Sequence, residues 1–115
     1  MNTPHLSIAK DEPDSNGPQV LRLSGPLVMS TTADFQKWLR AEPAKTVVLD
    51  FGDVPFIDSS GLGAMISVFL HFKQTGRKIV LTTLNEKCRA LLKMSNVEAL
   101  FPTYDAVETA RKALS

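Results

Sequence analysis

The run Thr46-Val47-Val48-Leu49 is continuously apolar, ends at Asp50-Phe51, and shows no alternation of polar and apolar residues. A strand with one wet face alternates, whereas a strand without alternation is covered on both faces. This run therefore predicts a central strand of a layered α/β fold. A different period follows it. Leu62, Met65, Ile66, Phe69 and Phe72 recur at three- and four-residue steps, which predicts a helix from about Ser60 to Thr75 with one stripe facing the sheet. Gly76 supplies its stop.

The flanks repeat the alternation of strand and helix. Leu6 and Ile8 alternate with Ser7 and Ala9, a short strand, and Val20 to Leu23 form a second, closed by Gly25-Pro26. Ser30, Thr31 and Thr32 offer N-caps for a helix carrying Phe35, Trp38 and Leu39, stopped by Pro43. The phenylalanines and Trp38 read as core. Ile79 to Leu84 predict another strand, and Asn85 can cap a helix bearing Leu91, Leu92 and Cys88. Leu100-Phe101 predict a short edge strand, because Pro102 lacks a donor. Asp105 to Glu108 have the spacing of a capping box, with Val107, Ala110 and Leu114 on the helix behind it.

Alternating strands and helices favour parallel strands joined by right-handed crossovers, with an antiparallel or mixed edge at the first two strands. The expected architecture is a single α/β domain over residues 1–115, with a mixed, mostly parallel sheet of four to five strands and about four helices. Residues 1–4 and 11–18 read as flexible, the latter being rich in Pro, Gly and polar side chains.

Composition narrows the function. A net charge of +1, from 13 basic and 12 acidic residues, gives no support for a nucleic-acid or anionic-membrane partner. No run approaches the roughly 20 apolar residues needed to span a bilayer. Met1-Asn2-Thr3-Pro4-His5 lacks the basic start and apolar core of a secretion signal, so a cytoplasmic protein is expected. Cys88 is the lone cysteine, so no intrachain disulfide forms, and no His lies near it in sequence to activate it. His5 and His71 belong to no metal-ligand cluster, and Asp50, Asp53 and Asp58 read as turn and cap residues rather than a magnesium site. No metal, cofactor or catalytic residue is expected: there is no P-loop, and Ser59 lacks a nucleophile elbow. Lys73, Arg77 and Lys78 form a short basic cluster that reads as a solvated helix end.

The chemistry concentrates in Asp58-Ser59-Ser60-Gly61-Leu62-Gly63, between the central strand and the long helix. The first amides of a helix lack intrahelical partners and carry the positive end of its dipole, so a phosphorylated hydroxyl there is well tolerated. Asp58 or Ser59 can cap the helix. Gly61 and Gly63 bring no bulk to its first turn, which leaves room for close approach by another protein. Phosphate would add about −1.5 to −2 charges beside Asp58, changing what can dock while the fold survives.

The stretch Asp50 to Gly63 resembles the signature of STAS domains, shared by sulphate transporters and anti-sigma factor antagonists. Leu23-Ser24-Gly25-Pro26-Leu27 with Thr31 and Thr32, Leu91 to Val97, and Leu100-Phe101 are similar to further family features in the right order. The resemblance implies a non-enzymatic binding switch. Unphosphorylated, such a domain binds an anti-sigma factor, usually a serine kinase; phosphorylation releases it, and a serine phosphatase restores binding. By position the modified residue is Ser59, with Ser60 as alternative, and Asp58, Gly61, Leu62 and Gly63 shape the contact. Many antagonists carry an acidic residue after Gly-x-Leu. Here Val28 and Met29 follow, an apolar run similar to transporter-linked members and a further candidate contact. Two other readings stay open: a subunit of a transporter or phospholipid-transport complex bound to an ATPase or membrane component, and a domain binding a small anion or nucleotide at the same helix end. A homodimer also stays open.

Overall fold

The computed structural model describes residues 3–12 and 17–114. Residues 1–2 and 13–16, parts of the segments expected to be flexible, lie outside the described residues. In chain order the elements are β1 (Ser7–Lys10), β2 (Gln19–Ser24), a 3-10 turn at Met29–Thr31, α1 (Thr32–Ala41), β3 (Thr46–Asp53), α2 (Ser59–Gln74), β4 (Lys78–Thr82), α3 (Glu86–Met94), a second 3-10 turn at Glu98–Leu100, β5 (Thr103–Tyr104) and α4 (Val107–Leu114). One five-stranded sheet runs β1-β2-β3-β4-β5, in the order of the sequence. β1 and β2 are antiparallel, and the remaining pairs are parallel.

The central strand has the two covered faces its composition requires. Val47, Leu49 and Phe51 join the main core with Leu21, Leu23, Ile79 and Leu81, under Phe35 and Leu39 of α1, Met65, Val68 and Phe72 of α2, and Leu92 of α3. Val48 faces the other way, with Val20 and Val80, and α4 covers this triplet through Val107 and Ala110. Three helices thus lie on one face and one on the other. The pairing of β2 with β3 slips by one residue between Arg22–Asp50 and Ser24–Asp53. At that bulge the Gly52 N–H donates to Asp50 Oδ1 (2.8 Å).

Ion pairs close the α4 side. The Arg22 guanidinium donates two bonds to the Asp11 carboxylate, each 2.8 Å, and a third to Asp50 Oδ2 at 2.6 Å. Arg111 of α4 reaches the same Asp11 at 2.9 Å. Asp11 therefore does not behave as part of a free loop. These cations hold its carboxyl below the usual carboxylate range.

Several expectations are corrected. Trp38 is 40% exposed and Phe56 45% exposed, so neither is core. The buried stripe of α1 is Phe35 and Leu39, and Trp38 falls at its margin, beside a shallow groove with Leu6 and Ala41. The last strand lies at Thr103–Tyr104, after Pro102 rather than before it. Pro102 contributes what it has, a carbonyl, to the Leu81 N–H (2.9 Å). Asp105 pairs with Arg89 and Glu108 with Arg111, in place of the capping box expected there.

Candidate functional site

Asp58 organises the head of α2. As N-cap its Oδ1 accepts from the Gly61 N–H at 2.8 Å, satisfying one of the orphan amides of the first turn. Its Oδ2 accepts from the Met29 N–H at 3.1 Å. One carboxylate thus joins the helix start to the 3-10 turn that precedes α1. The backbones are stitched together as well: Leu27 N–H donates to Phe56 O, Asp58 N–H donates to Leu27 O, and Leu27 and Ile57 form an isolated parallel bridge. Thr31 secures the turn from within. It is buried, its Oγ1 accepts from the Val28 N–H (2.9 Å), and its hydroxyl donates to Pro26 O (2.9 Å).

A second cap supports the loop from the other side. Asn85 Oδ1 accepts from Cys88 N–H (2.9 Å) as the cap of α3, while its Nδ2 donates to Val54 O (3.2 Å) and Pro55 O (3.0 Å). The Val54–Asp58 loop is therefore held at both ends by side chains that also start helices. Cys88 lies beneath it, fully buried, and burial pushes its thiol up from the ordinary range. A buried thiol held protonated is a poor nucleophile.

Ser59 is the first residue of α2 and is exposed; Ser60 beside it is half-buried. The two glycines differ. Gly63 is exposed, and a Cβ there would meet nothing within 4 Å. Gly61 is buried, and a Cβ would sit 2.1 Å from the Leu27 carbonyl oxygen. Gly61 is thus required by the close approach of the Leu27 strand end, not by a docking partner. Leu62 is also buried and belongs to the core, so these two expected contact residues lie beneath the surface. Val28 is half-buried, whereas Met29 is 75% exposed.

The accessible surface around Ser59 consequently combines Met29, Phe56, Ser59 and Gly63, with Asp58 half-buried among them. Phe56 was not a sequence candidate; its neighbour Pro55 and its place in a loop were the available signals. Among the described residues no group of three His, Cys, Asp or Glu side chains could share a metal ion. Asp50 is engaged by Arg22 and the Gly52 amide.

Fold and site together define a small α/β domain that presents a serine at the head of the helix following its central strand. The model of the STAS domain matches residues 8–110, and the chain belongs to that family. The anti-sigma F factor antagonist of Paenibacillus polymyxa is 28% identical over 93 residues, spanning 77% of this chain and 80% of that protein. An anti-sigma factor antagonist from Mycobacterium paratuberculosis superposes with a TM-score of 0.81 at 18% identity, covering 96% of this chain and 94% of its own. The Bacillus cell fate determinant SpoIIAA in its phosphorylated form gives a TM-score of 0.69 at 15% identity, covering 93% of this chain and 99% of its own.

Proposed function

We propose that this STAS domain is an anti-sigma factor antagonist whose docking surface is switched off by phosphorylation of Ser59. The observation that carries the reading is the exposed Ser59 at the first position of α2, whose cap Asp58 holds the turn carrying the exposed Met29 and follows the loop carrying the exposed Phe56. An anti-sigma factor with serine-kinase activity would bury that apolar pair and meet the serine hydroxyl. The kinase transfers the phosphoryl group of its nucleotide to Ser59 Oγ, and a phosphatase later hydrolyses the ester. The domain is substrate and switch, acts in the cytoplasm, and needs no cofactor. Asp58 adds repulsion: a dianion placed beside a carboxylate must keep its water, which opposes an apolar partner. The helix dipole favours the same dianion, so the fold is retained.

Phosphosite mapping of the native protein under growth and stress tests the reading. Occupancy at Ser59, or at Ser60, that changes with condition is expected. Unmodified serines in every condition would reject it and favour the constitutive subunit of a transport complex. Val28, where many antagonists carry an acidic residue, and the exposed Met29 after it support that second reading. In binding assays with the cognate anti-sigma factor, Ser59→Asp is expected to weaken the complex by about 1–3 kcal/mol. Ser59→Ala is expected to leave it intact and block the off-switch.

A further inference from the structure

At the far end of α2, roughly 20 Å from Ser59 along the helix axis, lies a second surface that the switch does not use. A cleft of about 220 Å3 opens between the last turns of α2, the start of β4 and the 3-10 turn before β5. Phe69, Phe72, Ile79 and Leu100 line it. Phe72 is fully buried, Phe69 stacks edge-on against Phe101 at 5.2 Å, and Leu100 remains 39% exposed. Lys73 and Lys78 line the same cleft, both exposed, and neither has an ion-pair partner among the described residues.

Arg77, between them in sequence, has a different task. Its guanidinium lies 3.8 Å over the Phe72 ring and donates to the carbonyls of Glu42 and Ala44. Arg77 therefore builds the wall, and among the described residues the two lysines are left without an ion-pair partner. The carbonyls at the helix end do not compensate them from within: Thr75, Gly76 and Arg77 amides already cap His71, Phe72 and Lys73.

We infer that this cleft docks an acidic segment of a partner protein, which inserts one leucine or aromatic side chain between Phe69, Ile79 and Leu100 and sets flanking carboxylates against Lys73 and Lys78. The cleft is smaller than the about 300–1,000 Å3 typical of small-molecule sites, and suits a single side-chain anchor. Apolar anchors in a desolvated pocket with a charged rim are how compact interfaces gain both affinity and direction. Because the two surfaces occupy opposite ends of α2, a partner here can stay bound whatever the state of Ser59.

Selection from a library of random linear peptides displayed against the full chain tests this. The expected result is enrichment of peptides that combine a leucine or aromatic residue with Asp or Glu. A selected peptide should perturb amide resonances of Phe69, Lys73, Lys78 and Leu100. The Lys73→Glu/Lys78→Glu double variant should weaken it about tenfold or more, and raised ionic strength should weaken it as well. Ser59→Asp should bind it as wild type does, which separates this surface from the switch. No enrichment, enrichment of peptides without acidic residues, binding retained by the double variant, or occupation of the cleft by a second copy of this chain in sedimentation would each overturn the assignment.

Discussion

Gly61 and Gly63 stand two positions apart in one helical turn and carry opposite consequences. Gly61→Ala drives a methyl against the Leu27 carbonyl, and about 2–3 kcal/mol of stability should be lost in chemical denaturation. Gly63→Ala meets open space and replaces the poorest ordinary helix former with the best, so stability should hold or rise by up to about 1 kcal/mol. Weaker binding of the anti-sigma factor by this folded variant would locate the contact at Gly63. Asp58→Ala removes both the cap and the tie to Met29; a loss of about 1–2 kcal/mol is expected, read as a lowered denaturation midpoint. Thr83 is exposed with φ +61°, a left-handed conformation that β-branched residues resist. Thr83→Asn should therefore stabilise by about 0.5–1 kcal/mol. The cap at Asp58 was legible because Asp before Ser-Ser-Gly is a local pattern. The bond to Met29 was not, since it spans 29 positions and depends on how two loops meet.

Local periodicity placed most of the elements. The apolar run of β3 and the three- and four-residue steps of α2 are one-dimensional records of burial, and both elements lie where those patterns put them. Failures came where side chains leave the average. Trp38 and Phe56 are large and apolar yet exposed, because helix position and loop geometry, rather than hydrophobicity, set their direction. β5 has two residues, too few for any pattern, and Pro102 takes part through its carbonyl. Charge makes a separate contribution at this scale. Asp11, between β1 and β2, is held ionised by Arg22 and Arg111, which keep its folded pKa below the usual carboxylate range. A depressed carboxyl stabilises fully above its unfolded pKa and ceases to do so as pH falls through the folded one. Wild type should therefore lose stability on acidification below about pH 4, and Asp11→Asn should flatten that part of the profile while lowering stability at neutral pH.

For the whole molecule, the docking end and the core are separable. Ser59 lies outside the packed interior, so Ser59→Asp should leave the melting temperature within a few degrees of wild type (roughly 1 kcal/mol) while partner binding falls. A large drop in melting temperature would instead make the switch one of unfolding. The basic cleft at the other end of α2 was only partly legible. Lys73, Arg77 and Lys78 are neighbours in sequence, but Leu100 arrives from beyond α3 to complete the pocket. The bond from Arg111 to Asp11 joins positions 100 apart, and it binds the last helix to the first hairpin. An end helix that covers its face of the sheet alone would ordinarily fray by itself. Here, opening α4 must also break the Arg111–Asp11 bond, a modest added cost, while Arg22 goes on holding Asp11 at the β1–β2 junction. The α4 amide protons should accordingly exchange with solvent faster in Asp11→Asn than in wild type, as a door does when its latch is lifted.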